Sequence, residues 1–467
     1  MATATNQDPG SGSARGGRRP VAVDLFSGAG GLSLGLEQAG FDVVASVEYD
    51  PVHATTHAFN FPLTQVLCDN MATIAPSAIY EAAGRGWRRH RPEDQWDGQI
   101  DLVAGGPPCQ GFSFIGKRDV DDARNDLIFH FFRAVTELRP NYFIMENVPG
   151  IASGRHRELL ADLVARFASA GYVIAEPKVL NAADYGVPQD RRRLILMGAR
   201  KGARPLDYPK PIVRPVRPVK SPWAAAVEAL PAGPSVWDAI GDVPDLDAFD
   251  ELLVSDEVLL SASQLARMTL AASAYALRLR TDRDLADLSW PRVWQAQYLT
   301  SSARTVHTAK SVSRFEATPQ GAVEKVSRFL RLDEDGLCNT LRAGTGAERG
   351  AFTSPRPIHP RLPRVISVRE AARLHSFPDW FRLHSTKWNG FRQIGNAVPP
   401  LLGRALGQSV VAALGLVPER PVHALALGDQ RLLRLAMAQA AAEAGARPEA
   451  LPPSRARSRD RQVVGLW

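Results

Sequence analysis

The sequence predicts an α/β fold, a doubly wound and mostly parallel sheet joined to a smaller second domain. Three observations predict it. Short apolar runs alternate with helical patterns from Val21 to Gly198, as parallel strands joined by crossover helices do. The first run passes straight into a glycine-bearing turn and then a helix, the local signature of a ligand-binding βα unit. Finally, a proline-rich, basic stretch at Pro205–Pro222 separates this region from a chain of different texture.

Taken in order, Val21–Leu25 is the first expected strand and Leu32–Ala39 the first helix. Val43–Val47 and Val66–Cys68 are expected as the second and third strands. Ile100–Ala104, Tyr142–Met145 and Leu194–Met197 follow, with a helix over Leu127–Leu138. Pro205–Pro222 reads as a linker. Val236–Ile240 comes next, then a polar stretch to about Thr300 in which Ser261–Trp294 has no assignable pattern. Arg369–His375 and Leu401–Ala413 look helical, the latter behind Pro399-Pro400, and a last helix is expected from Gln430 to Glu443. Residues 1–20 read as a flexible tail without the apolar stretch of a signal peptide, and 445–467 as a basic, disordered one.

Composition narrows the class. Of 467 residues 45% are hydrophobic and 22% charged, as in a globular protein. No apolar run reaches the roughly 18 residues of a membrane helix. Three cysteines, none in a C-x-x-C pair, argue for a reducing, intracellular setting and against structural zinc. The net charge of +7 suits a polyanionic partner.

The turn Phe26-Ser27-Gly28-Ala29-Gly30-Gly31 lets backbone approach a ligand at a helix N-terminus. It is not the dinucleotide fingerprint, because Ser33 stands where a third glycine belongs. Glu48, twenty residues beyond Gly28, can take ribose hydroxyls, and Asp69 can accept from an adenine amine. A nucleoside without a pyrophosphate fits better than NAD. At the end of the fourth strand, Gly105-Gly106-Pro107-Pro108 presents Cys109, and chemistry in such sheets sits outside the strand carboxyl ends. The loop Gln110–Asp126, with Lys117, Arg118 and Arg124, could close as a lid. Glu146, directly after an apolar strand, is costly there unless paired or protonated, which suits a group that holds or delivers a proton. Arg191 and Arg193 share one strand face, where they could grip a carbonyl and a carboxylate, and Arg192 points away.

With these residues in view the chain resembles the cytosine-5 DNA methyltransferases of bacterial type. The blocks, in the family's order, are Asp24-Leu25-Phe26-Ser27-Gly28-Ala29-Gly30-Gly31, Pro107-Pro108-Cys109-Gln110, Glu146-Asn147-Val148, Gln189-Asp190-Arg191-Arg192-Arg193, Arg369-Glu370-Ala371-Ala372-Arg373-Leu374 and Gln393-Ile394-Gly395-Asn396-Ala397-Val398-Pro399-Pro400. They cover roughly residues 21–200 and 325–410. The resemblance implies a Rossmann-like S-adenosylmethionine-dependent methyltransferase domain, residues 21–215 and 388–420, and a target-recognition domain, 236–387. It implies that Cys109 attacks cytosine C6, that Glu146 donates to N3, and that Arg193, supported by Arg191, holds the cytosine carbonyl. The target base would be flipped from the duplex, as such enzymes require. S-adenosyl-L-methionine would be lined by Phe26, Ser27, Gly28, Gly30, Gly31, Glu48, Tyr49, Asp69, Pro108, Leu127, Asn396 and Val398.

The interval 301–373 carries 13 Lys and Arg against 7 Asp and Glu, so its face is expected against phosphates. Gln110, Ser113, Arg342, Gly344, Gly346, Arg349 and Arg356 are the expected DNA contacts, because glycines admit close approach and arginines reach phosphates or guanines. The implied partner is double-stranded DNA, with a cognate restriction endonuclease if the chain serves a restriction–modification system. No membrane and no metal are expected, and the chain is expected to act as a cytoplasmic, nucleoid-associated monomer. Three other readings are distinguishable. An exocyclic-amine methyltransferase would carry an aromatic residue where Cys109 stands. A transfer-RNA cytosine-5 methyltransferase would carry a Cys-Phe-Thr signature, which is not seen. A non-catalytic DNA-binding relative would lack Cys109 or Glu146.

Overall fold

The computed structural model describes residues 17–108, 126–154, 156–281, 284–344 and 356–447. Eight strands organise the first half: β1 (Val21–Leu25), β2 (Asp42–Glu48), β3 (Gln65–Cys68), β4 (Leu102–Gly105), β5 (Tyr142–Asn147), β6 (Tyr172–Asn181), β7 (Gln189–Asp190) and β8 (Arg192–Arg200). Seven of them form one sheet in the order β3-β2-β1-β4-β5-β8-β6. Strands β3 to β5 in that order are mutually parallel. Strand β8 runs antiparallel to both β5 and β6. The doubly wound, mostly parallel sheet is therefore present, with β6, which the alternation reading did not pick out, at its edge. That strand carries Glu176, Pro177 and Lys178 and is only partly buried, so it lacks the continuous apolar run by which its neighbours were recognised.

Helices in chain order are α1 (Gly31–Gln38), α2 (Pro51–Asn60), α3 (Pro76–His90), α4 (Asp126–Leu138), α5 (His156–Ser169), α6 (Val236–Ile240), α7 (Ala262–Ala271), α8 (Ala274–Arg280), α9 (Ala309–Ala317), α10 (Val368–Leu374), α11 (Lys387–Asn396), α12 (Pro400–Leu414) and α13 (Met437–Glu443). Alternate residues of the strands feed two apolar layers. Val21, Val23, Leu25, Phe143 and Met145 pack with residues of α3, α4 and α5 on one face. Ala22, Val43, Leu102, Ile144 and Ile195 pack on the other with α1, α12 and parts of α6, α8, α10 and α11. Each fully buried Val or Leu contributes about 1.5–3 kcal/mol. Residues expected in the target-recognition interval thus join the core of the sheet domain, and a smaller cluster around Leu246, Phe249, Leu252, Leu260 and Met268 lies beside it.

Several sequence expectations change. Arg18 and Arg19, expected in a tail, bind Asp101 and Asp42. The expected linker Pro205–Pro222 is partly packed, with the buried Tyr208 donating to the Ile195 carbonyl. The expected helix Gln430–Glu443 breaks into a 3-10 turn, Gln430–Leu433, and α13. The break has a tertiary cause: Ser385 and His384 bind the carbonyls of Leu433 and Leu435, while Leu435 packs on Val52 of α2. The tail expected from 445 begins ordered, because Ala446 donates to Ala441 and Arg447 pairs with Asp69. The stretch Lys387–Leu414, which joins two helices through Pro399, is long and apolar enough by length and composition to cross a membrane, with 67% of its apolar window buried. No single apolar run revealed it, and its apolar side faces the sheet core.

Candidate active site

Parallel strands end on one edge, and there the chain places its glycine turn. Phe26, just past β1, has φ 59, a left-handed conformation that costs an aromatic residue about 1–3 kcal/mol and marks a constrained site. Gly30 has φ +103, and a Cβ there would lie 2.3 Å from the Phe61 ring, so only glycine fits. Gly28 has nothing within 4 Å of where a Cβ would be, which leaves its face open to a ligand. Gly31, by contrast, is needed for packing, since a Cβ would fall 2.5 Å from the Val398 carbonyl oxygen. The Ser27 hydroxyl is buried without a hydrogen-bond partner, and α1 starts with no side-chain cap. An orphan hydroxyl beside uncapped helix N–H groups fits the charged end of a nucleoside cofactor.

Glu48 closes β2. Its Oε2 accepts from the Gly28 N–H at 2.7 Å and its Oε1 from Asp50 N–H at 2.8 Å, with His53 Nδ1 3.9 Å away. Burial pushes its carboxyl up, and His53 opposes this. Glu48 therefore shapes the glycine turn, and each oxygen keeps a lone pair for a ribose hydroxyl. His57 lies 3.4 Å from the Gly28 carbonyl, and burial pushes it down to about 4. The pair His53 and His57, four apart on α2, was overlooked in the sequence, although that spacing puts both on one helix face. Tyr49 is exposed and Asp69 half-buried. Asp69 Oδ1 accepts from Asn70 N–H at 2.7 Å, and Arg447 Nη2 lies 2.5 Å from Oδ2.

The second half of the edge centres on Glu146. Because β8 is antiparallel, its beginning meets the end of β5: Glu146 pairs with Ile195 and Asn147 with Leu194. Arg193, two residues before Ile195, is the same-face diagonal neighbour of Glu146, and its Nε lies 2.6 Å from Glu146 Oε1. The costly carboxylate is thus paired. A Cβ on Gly106 would lie 3.0 Å from Glu146 Oε2, so glycine leaves that oxygen room. Asn147 donates to the Pro107 carbonyl at 3.2 Å and so fixes the turn leading to Pro108, which is exposed. Cys109, Gln110 and Ser113 lie outside the described residues, as do Lys117, Arg118 and Arg124.

Arg191 goes elsewhere than Arg193. It is fully buried and donates to the carbonyls of Leu341 at 2.7 Å and of Gly395 and Ala397, both at 2.9 Å. Burial and the Arg193 charge push its pKa down. Arg192 is exposed, so the alternation of faces is as expected. Around Arg191, Gln189 donates to the Leu374 carbonyl and contacts His375, whose Nε2 lies 3.0 Å from the Ala397 carbonyl oxygen. Gln189 and His375 carry this junction; both lie in stretches singled out in the sequence, but nothing there gave either residue a role of its own.

Cys338–Asn339 forms a short parallel ladder with β7, and this docks the glycine-bearing strip 336–344 on the arginine block. Arg342 is exposed and Gly344 half-buried. Arg356 sits over the Phe391 ring at 5.5 Å, and burial lowers its pKa. Gly346 and Arg349 lie outside the described residues. Leu127 is half-buried at the start of α4, Val398 buried, and Asn396 exposed at the end of α11. The edge thus unites a ligand-shaped glycine turn, acidic strand ends and a carboxylate–guanidinium pair beside the Pro-Pro turn.

Comparison with known proteins is consistent along the chain. A family model described as "C-5 cytosine-specific DNA methylase" matches residues 21–412. The type II methyltransferase M.XorII of Xanthomonas oryzae pv. oryzae is 50% identical over 429 residues, 91% of this chain and 93% of that protein. The type II methyltransferase M.AgeI of Thalassovita gelatinovora is 32% identical over 443 residues, 84% of this chain and 99% of that one. A crystal structure described as a DNA modification methyltransferase encoded within an E. coli prophage aligns with a TM-score of 0.63 and 31% identity. It covers 85% of this chain and 99% of that one.

Proposed function

The chain belongs to the C-5 cytosine-specific DNA methylase family, and on that premise we propose that it methylates carbon 5 of a cytosine held out of a specific duplex sequence, through a covalent bond from Cys109 to C6. As a DNA cytosine-5 methyltransferase similar to type II enzymes, it suits the modification side of a restriction–modification system. The single observation that carries the mechanism is the Glu146–Arg193 pair at 2.6 Å, held beside the Pro107-Pro108 turn that leads to Cys109.

Cytosine C5 is a poor nucleophile until a group adds at C6. The Cys109 thiolate forms that bond while Glu146 passes a proton to N3. The C5–C6 double bond is consumed, a C4–C5 double bond forms in its place, and C5 becomes the nucleophilic carbon of an enamine. Arg193 orients Glu146 and holds the cytosine carbonyl. Bound S-adenosylmethionine would supply an electrophilic methyl group to C5, its sulfonium leaving as the neutral thioether S-adenosylhomocysteine. Loss of the C5 proton to a base then expels Cys109, and the N3 proton returns to Glu146. Ser27, Gly28, Glu48, Tyr49 and Asp69 would hold the cofactor. Within 236–387, the parts that neither join the sheet core nor belong to the segment 284–294 would read the DNA, and the exposure of Arg342 makes it the first candidate contact. The other thiols are poor rivals for Cys109: burial pushes Cys68 up to about 12 and pushes Cys338 up as well.

The test is a duplex carrying 5-fluorocytosine at the target base. Fluorine cannot leave as the proton does, so the enzyme should be trapped with its cofactor, and mass spectrometry of the digested adduct should find the bond on Cys109. A bond on Cys68 or Cys338, or normal turnover on this duplex, would refute the mechanism.

A further inference from the structure

The family match ends at residue 412, yet the chain beyond it returns to the cofactor edge. Leu425–Ala426 pairs with Arg292–Val293, and Gly428 N–H donates to the Phe59 carbonyl at the end of α2. Leu435 and Ala440 then pack on Val52 near the start of α2. Arg431 and Glu443 close the segment on itself through two hydrogen bonds of 2.8 and 3.0 Å. Helix α13 ends in a left-handed Gly445, φ +62, with Ala446 N–H donating to the Ala441 carbonyl. That six-to-one bond is the Schellman arrangement, which turns the chain sharply out of the helix. The next residue is Arg447, and its guanidinium reaches Asp69 at 2.5 Å.

Three carboxylates crowd this edge, Glu48, Asp50 and Asp69: the Cys68 thiol is pushed upward first by burial and further by all three of their charges. Each meets a basic side chain from an element outside the strand ends: Glu48 meets His53 at 3.9 Å, Asp50 meets Arg392 at 2.9 Å, and Asp69 meets Arg447. We propose that Arg447 is a positioning residue for the adenine end of the cofactor, and that the C-terminal segment forms one wall of that pocket. The inference rests on the reading that Asp69 accepts from the adenine amine. With Asn70 N–H on one oxygen and Arg447 on the other, the Asp69 carboxylate is anchored before the ligand arrives, so little rotamer freedom is lost on binding. Arg447 also offsets the repulsion Asp69 meets from its acidic neighbours.

The experiment is calorimetric titration of the full-length protein with S-adenosylhomocysteine, for wild type, Arg447→Ala, Arg447→Lys, Asp69→Ala and the double alanine variant. Arg447→Ala should weaken binding about two- to fivefold, the range a half-exposed ion pair supports, and Arg447→Lys should recover part of it. In assays the KM for the methyl donor should rise and kcat at saturation should hold. In the Asp69→Ala background, loss of Arg447 should add nothing. If Asp69→Ala leaves binding unchanged, the reading of Asp69 itself fails. If Asp69→Ala weakens binding and Arg447→Ala does not, the role of Arg447 fails alone. Tighter binding by Arg447→Ala, or losses that add in the double variant, would equally overturn it.

Discussion

Asp24, on β1 beneath the glycine turn, has its carboxyl pushed up to about 7, first by burial and further by the Glu48 charge. Ser33 donates to its Oδ2 at 2.6 Å, while Oδ1 has no partner. Its ordinary value is 3.8, so between that value and about 7 the folded state keeps a proton the unfolded chain has released. Folding then binds protons, and the contribution of Asp24 to stability falls as pH rises through this window and levels off above it. Asp24→Asn keeps an acceptor for Ser33 and cannot ionise. Urea unfolding at pH 5 and pH 8 should show wild type losing roughly 1–3 kcal/mol relative to this variant. A difference independent of pH would show that Asp24 does not change charge with folding in that range. The same scale separates two arginines that look alike in the sequence: Arg193 meets the Glu146 carboxylate and Arg191 meets three carbonyls.

Helices α1 and α12 cross closely because small residues line the contact. A Cβ on Gly35 would lie 2.5 Å from the Pro400 carbonyl oxygen and 2.7 Å from Arg404 N, both backbone atoms that cannot swing aside. Alanine is the better helix former by about 1 kcal/mol, so propensity alone says that Gly35→Ala stabilises. Overpacking against backbone costs about 1–3 kcal/mol and should win. Thermal unfolding should show a lower Tm, and cofactor affinity should fall too, because α12 carries Pro400 directly behind the Val398 contact with Gly31. A raised Tm would mean that the helices can separate cheaply. The helical pattern of each partner was legible in the sequence, and so was the glycine. That Gly35 serves helix contact rather than a turn was not, because the contact joins residues hundreds of positions apart.

Across the molecule, the segment after α8 is stapled to the far end of the sheet domain. Arg292 grips Glu37 through bonds of 2.8 and 2.9 Å, with both side chains buried. Trp290 N–H donates to the same carboxylate, and Arg19 reaches the carbonyls of Leu288 and Glu419. Glu37 lies near the end of α1, whose first turn is at the edge proposed to hold the cofactor, and eight residues of helix span about 12 Å. Residues 284–294 are therefore a structural clamp at the opposite end of α1 from the proposed active site. Arg292→Ala should cost about 3–5 kcal/mol, because it leaves a buried charge unpaired. Bisulfite sequencing of DNA from cells expressing this variant should show the wild-type target sequence unchanged. A broadened target would make this stretch part of the reading surface.

The family was legible from the chain alone, because contiguous blocks carry it: the glycine turn after β1, Pro107-Pro108 before Cys109, and Glu146 at a strand end, the residues on which the proposed chemistry rests. Apolar runs also located most strands of the sheet, since a sheet buried on both faces leaves runs that stand out. Helical periodicity located α1, α4, α10 and α12, while α2, α3, α5, α7, α8, α9 and α11 were not picked out. Tertiary structure decided everything that depended on partners distant in sequence. An antiparallel β8 brings Arg193 to Glu146, whereas strand periodicity says nothing about direction. Arg191 became a junction post, the stretch around Arg292 a clamp, and the expected helix 430–443 a broken segment, because buried carbonyls and carboxylates must find donors wherever the fold supplies them. Arg447 is the extreme case: it lies 378 residues from Asp69, and only the path of the chain over α2 brings the two charges together.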